Sequence, residues 1–197
     1  MYGKRAEHLL NRTGLDAVMI TSPKNIYYYS GFTGVEAVLV LLRGGLYIFT
    51  DSRYHIQAKQ QARDYTLRDI AEQRPADFLL QQPAGTVGFE NMYMTVEEYG
   101  KLSEKLSAAG FELVKEQVVC DRGRVYTVML ATYSGEPKRI SPLMSLVGLV
   151  PLSAGEERAL YYEKVLGQLY SQKQGLLAQG KDAAHIEELI VEIKKLY

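Results

Sequence analysis

The chain predicts an α/β fold, a mixed β-sheet of about six strands flanked by helices and followed by a C-terminal helical hairpin. Three features predict it. Over residues 1–117 short apolar segments alternate with segments of helical periodicity. The apolar runs 37–42 and 46–49 are joined by Arg43-Gly44-Gly45, where glycine supplies the positive φ angles of a tight turn; that hairpin makes the sheet mixed. After residue 152, two stretches repeat apolar residues at helical spacing.

The elements follow in order. Residues 2–12 read as a helix with Leu9 and Leu10 inward and Gly14 as its stop. Residues 16–21 are a short apolar strand. Ser22 offers an N-cap hydroxyl and Pro23 suits a first helical position, so Ser22-Pro23-Lys24-Asn25 opens a short helix. Beyond the hairpin come a helix at 52–62, a strand at 66–70, a helix at 75–81 and a strand at 86–89. Thr95-Val96-Glu97-Glu98 is a capping box, in which hydroxyl and carboxylate each satisfy a free backbone N–H; its helix carries Tyr99, Leu102 and Leu106 on one face and ends before Gly110. A last strand is read at 111–114.

Residues 1–122 thus form the α/β domain. Residues 123–152 read as a connector, because they hold Pro137, Pro142 and Pro151 with several Gly and Ser, and look strand-like only at 125–133. Residues 153–197 are the helical hairpin. A second capping box, Ser153-Ala154-Gly155-Glu156, starts a helix with Tyr162, Val165, Leu166, Leu169 and Tyr170 on one side. Gly180-Lys181-Asp182 separates it from a helix repeating Ile186, Leu189, Ile190, Ile193 and Leu196. Such a hairpin leaves an apolar stripe to be covered by the α/β domain or by another chain.

Charge narrows the function classes. Lys plus Arg equals Asp plus Glu at 23 each, and the balance is local: 14 basic against 15 acidic residues up to 122, 9 against 8 after it. A nucleic-acid binder usually carries a basic face, so that class is disfavoured. The single cysteine, Cys120, rules out an intramolecular disulfide and lies in an apolar context that suits a buried, inert thiol. The N-terminus has no apolar stretch of signal-peptide length. The longest apolar run, 143–152, is too short to span a bilayer and is broken by Ser145, Gly148 and Pro151. The reading is a cytoplasmic protein with no membrane or nucleic-acid partner.

Candidate chemistry is sparse. A phosphate loop needs glycines between strand and helix, whereas Gly31 and Gly34 follow the helix. His8, His55 and His185 lie in three separate helical segments, none with a second ligand at metal spacing. Glu97-Glu98, Glu156-Glu157 and Glu187-Glu188 fall in first helical turns, where the helix dipole accounts for them. No Gly-x-Ser-x-Gly elbow occurs. Asp51-Ser52-Arg53-Tyr54 stands where a strand ends and a helix begins, the usual place for functional loops in α/β sheets; there Asp51 can cap the helix and Arg53 can pair with it.

Taken together, Leu15-Asp16-Ala17, Thr21-Ser22-Pro23-Lys24-Asn25-Ile26-Tyr27-Tyr28, Gly31-Phe32-Thr33-Gly34, Phe49-Thr50-Asp51-Ser52-Arg53-Tyr54 and Gly88-Phe89-Glu90 resemble, in order and spacing, the N-terminal domain of the creatinase/prolidase family of Xaa-Pro peptidases, over about residues 2–117. The resemblance implies a mixed sheet and a role in oligomer contacts or in walling a substrate entrance, with catalysis in a following domain that holds two divalent metals on two Asp, one His and two Glu. Two close cations need several anionic ligands. Here the sequence departs: after Asp121 the sole aspartate is Asp182 and the sole histidine His185, and the remaining residues are too few for that domain. No catalytic residue, metal ligand or cofactor is therefore assigned. The expectation is a non-catalytic module that forms a homodimer or binds a protein partner through the N-terminal domain and the C-terminal helices. Asn25, Tyr28, Phe32, Asp51, Arg53 and Tyr54, which match the family motifs, are its candidate binding or interface residues. Two alternatives stand: a fragment or remnant of an Xaa-Pro peptidase, and a small-molecule module using Tyr27, Tyr28 and Tyr29, of which core packing with one exposed ring is the expected arrangement.

Overall fold

A computed structural model of the chain describes residues 2–90, 96–121, 124–150 and 156–196. Strand β1, Ala17–Ile20, is an unbroken apolar run buried on both faces, as a central strand must be. It runs parallel to β5, Thr86–Glu90, and antiparallel to β2, Ala37–Leu42. The Arg43-Gly44 turn pairs β2 with β3, Gly45–Thr50, in the register Leu42 to Gly45. β4, Thr66–Asp69, lies parallel to β3 at one edge. At the other side β7, Arg124–Tyr133, is inserted antiparallel between β5 and β6, Phe111–Asp121. The seven-stranded order is β4-β3-β2-β1-β5-β7-β6.

Strand alternation sorts the side chains into two layers. Met19, Val40, Phe49, Val87, Phe89 and Met129 face α4, Pro75–Leu80, and α5, Val96–Ala108, which return Phe78, Leu79, Leu102 and Leu106. Val18, Ile20, Leu39, Leu41 and Ile48 face α1, Tyr2–Thr13, α2, Pro23–Ser30, and α3, His55–Gln61, whose Ala6, Leu10, Ile26 and Ala58 close that side. Helix α2 stops at Gly31, left-handed at φ 77°, where a Cβ would stand 2.6 Å from the Tyr2 ring. A third cluster joins Val118 of β6 to α6, Pro142–Val147, α7, Glu156–Ala178, and α8, Ala184–Leu196.

The mixed sheet flanked by helices is the expected one, and the strand-like stretch of the connector is its seventh strand. Several finer expectations need correcting. β6 runs on to Asp121 rather than ending at 114, because a register shift between Leu113 and Lys115 breaks the apolar alternation there. The connector also holds helix α6, opened by Ser141, whose hydroxyl accepts from the Met144 N–H at 3.1 Å, with Pro142 in the first turn. The stripe of the C-terminal hairpin is covered within the chain: Tyr162, Val165, Leu169, Ile186, Ile190 and Ile193 are buried against each other, α6 and Val118. Tyr170 and Leu196, expected on that stripe, are partly exposed, since only one face of each helix is covered. Both Tyr27 and Tyr28 are half-exposed, so two rings rather than one reach solvent; Tyr29 packs on the core. The caps at Thr95 and Ser153, and the Cys120 side chain, lie outside the described residues. Among those described, no helix is long and apolar enough to cross a membrane.

Candidate functional site

β1, β3, β4 and β5 all point the same way, so Thr21, Asp51, Asp69 and Glu90 gather at one edge of the sheet. β1 is followed by α2 on one face and β5 by α5 on the other. The gap between their carboxyl ends is thus the topological switch point, where open α/β sheets usually take ligands. Here Glu90 occupies it. Its carboxylate accepts from the Ser22 N–H at 3.2 Å and from the Asn25 side-chain amide at 2.6 Å, while the Thr21 hydroxyl donates to the Glu90 carbonyl at 2.6 Å. The start of α2, a natural anion site, is therefore capped by this carboxylate, and the Ser22 hydroxyl makes no cap. Burial pushes the Glu90 carboxyl above its usual range, and the two donors oppose that rise.

A second cluster stands at the end of β3. Asp51 accepts from the Arg53 N–H at 2.9 Å and from its Nε at 2.7 Å, capping a short 3-10 turn. Arg53 Nη2 reaches Glu36 Oε2 at 2.9 Å and the guanidinium lies 5.7 Å from the Tyr54 ring centre. These hydrogen bonds hold the Asp51 carboxyl below its ordinary value. Tyr54 meets Phe32 edge-on at 6.2 Å. Phe32 is 1% exposed and runs under Gly34. Thr33 is tied to α3 through Gln57 and Gln61. His55 Nε2 lies 3.5 Å from Asp69 Oδ2.

Of the residues selected by motif, Phe32, Asp51, Arg53 and Tyr54 come together. Asn25 belongs to the switch-point cluster, and Tyr28 stands apart on α2, under the Arg5 guanidinium at 4.6 Å. Glu90 and Glu36 were missed as site residues. The signal for Glu90 was its place directly after an apolar strand, in Gly88-Phe89-Glu90. Beside Thr21 a cleft of about 840 Å³ opens between α4 and α5, floored by Met19, Val38, Ile70 and Leu102, with Arg74 on its rim. Among the described residues no group of three or more His, Cys, Asp or Glu could hold a metal ion.

Fold and edge clusters define a mixed α/β domain whose polar groups collect at the carboxyl ends of its parallel strands. The family described as Creatinase/Prolidase N-terminal domain matches residues 4–126, and the chain belongs to that family. Among curated proteins it is similar to "Uncharacterized peptidase YqhT" of Bacillus subtilis (strain 168), 32% identical over 123 residues, which is 58% of this chain and 33% of that protein. The chain thus spans a third of that relative's length. Among solved structures it is similar to the N-terminal domain of the cytoplasmic peptidase PepQ from Mycobacterium tuberculosis (28% identity, TM-score 0.45, 53% of this chain and 84% of that one). It is also similar to the N-terminal domain of a metallopeptidase from Corynebacterium diphtheriae (30% identity, TM-score 0.44, 51% and 85%).

Proposed function

We propose that this chain is a non-catalytic creatinase/prolidase N-terminal-type module whose work is self-association or binding of a protein partner. The observation that carries the reading is a set of apolar side chains held in water beside a rigid polar edge. Val35 is 73% and Ile56 76% exposed, next in sequence to Glu36 and His55 and so beside the Arg53 cluster. Tyr170, Leu177 and Val191 add exposed apolar surface on α7 and α8. Exposed apolar groups grouped around fixed polar ones suit an interface. A single aspartate after residue 121, where the two-metal set takes two, supports the non-catalytic half. Light scattering of the pure chain is expected to show a dimer that Val35→Asp with Ile56→Asp dissociates; a monomer at all concentrations, with no partner recovered, refutes it. Metal-dependent hydrolysis of Xaa-Pro dipeptides with Mn²⁺ or Co²⁺ would refute the non-catalytic half.

A second reading, a piece of an Xaa-Pro peptidase whose ligands lie in a separate segment, is favoured by the chain's matching only 33% of its curated relative. Co-expression with a neighbouring frame carrying the two-Asp, His, two-Glu set separates the two: restored hydrolysis selects the second.

A further inference from the structure

The strap 134–141, between β7 and α6, covers a cavity of about 250 Å³ beside α5. Leu106 of α5, Phe111 and Leu113 of β6, and Met129 and Ala131 of β7 form its inner wall. Ile140 of the strap and Met144 of α6 complete it, and neither joins any of the three core clusters. Close-packed interiors leave few voids larger than a water molecule, so a gap of this size is not ordinary packing. One polar atom interrupts the wall: Ser103 Oγ of α5 is buried and has no hydrogen-bond partner among the described residues. The hydroxyls nearby are committed elsewhere. Tyr99 donates to Glu116 Oε1 at 2.6 Å, and Ser107 donates to the Lys138 carbonyl at 2.9 Å. The Lys138 N–H answers to the Ser107 carbonyl at 3.0 Å, which holds the strap on α5. At the rim the Lys138 ammonium pairs with Glu112 and, at 3.6 Å, with Glu136.

We propose that this cavity is a binding site for a small neutral molecule, an apolar ring bearing one hydroxyl group. Volume sets the size: an apolar cavity of about 150 Å³ holds benzene, so this one takes a ring with a few further atoms. The apolar wall sets the body of the ligand. Ser103 sets its one polar group, because a buried hydroxyl without a partner is unfavourable and a ligand hydroxyl supplies that partner. The rim excludes charge. Lys138, the cation that lines the cavity, already answers two carboxylates, so an ionised head would enter without a counter-ion. The site uses none of the polar groups at the carboxyl edge of the sheet and does not depend on self-association.

Methionine-methyl NMR of the full chain tests it, with benzyl alcohol, toluene and benzoate as probes. Benzyl alcohol is expected to shift the Met129 and Met144 methyl signals saturably, while Met19, in the cleft between α4 and α5, stays fixed and benzoate shifts none of them. Ser103→Ala should weaken benzyl alcohol about fivefold, the loss of one neutral hydrogen bond, and leave toluene unchanged. Ala131→Leu, which fills the cavity, should abolish binding of both with the melting temperature kept; Ser103→Leu takes its place if that variant does not fold. Absence of saturable shifts, shifts that persist in the filled variant, or a benzyl alcohol affinity indifferent to Ser103→Ala overturns the site. Benzoate binding more tightly than benzyl alcohol overturns its neutral class.

Discussion

The Gly31-Phe32-Thr33-Gly34 loop is built around one ring. Phe32 is inserted among Ile20, Ile26, Leu39, Ile48 and Tyr54, and Gly34 lies on top of it: a Cβ at Gly34 would come 2.3 Å from Cζ and 2.5 Å from Cε1. A buried ring in a close-packed core cannot yield by that much. Gly34→Ala is therefore expected to cost about 1–3 kcal/mol by overpacking, and Phe32→Ala about 3–5 kcal/mol by leaving a cavity. Their combination should be far from additive, because the alanine methyl at 34 enters space the ring has vacated. The double variant should be no less stable than Phe32→Ala alone, giving a coupling of about 1–3 kcal/mol, the size seen for residues in contact. Urea unfolding followed by far-ultraviolet circular dichroism of the four proteins measures it. Additive losses within about 0.5 kcal/mol would refute the steric account of this loop.

Three further outcomes follow, two from the carboxyl edge of the sheet and one, at Asp16, from its amino edge. Glu90→Ala strips an acceptor from the buried Ser22 N–H and from Asn25, and is expected to cost about 2 kcal/mol in urea unfolding, less than two charge-assisted bonds because Asn25 can turn to water and the carboxylate no longer suffers burial. Asp16, which accepts from the Thr86 hydroxyl, the Thr86 N–H and the Gly85 N–H, is held below 3.8, so its stabilisation is present above that value and lost as pH falls through the lower folded one; Asp16→Asn should remove that acid limb from melting temperature against pH. Arg53→Ala, although it breaks contacts to Asp51 and Glu36, should leave the urea midpoint nearly unchanged, because the side chain is 66% exposed and water screens the pairs; a clear fall in the midpoint would mean Arg53 holds up the core packing of Tyr54.

Much of the fold is written locally. Gly14 and Gly31 end helices through left-handed backbone, Pro23 opens α2, and the 3.6-residue spacing of Tyr99, Leu102 and Leu106 marks the buried face of α5; the Arg43-Gly44 turn was readable as a hairpin, although neither Gly44 nor Gly45 takes the positive φ expected of it. The Asp51–Arg53 pairing, two residues apart, was equally readable. Everything in these features is settled within one or two turns of chain.

What only tertiary structure decided spans long separations. Glu90 meets Ser22 and Asn25 across more than sixty residues, and Glu116 meets Leu149 across 33. Taken alone, each carboxylate looks like an ordinary charge at or near a strand end, because nothing local reveals that it will be buried among donors. The place of β7 between β5 and β6 is of the same kind: pairing order depends on which strand edges remain open after the rest has assembled, and periodicity carries no record of that. The sequence by itself determined most of the elements and the family; assembly alone chose which polar groups became internal, since burial is a property of the packed chain and not of any segment.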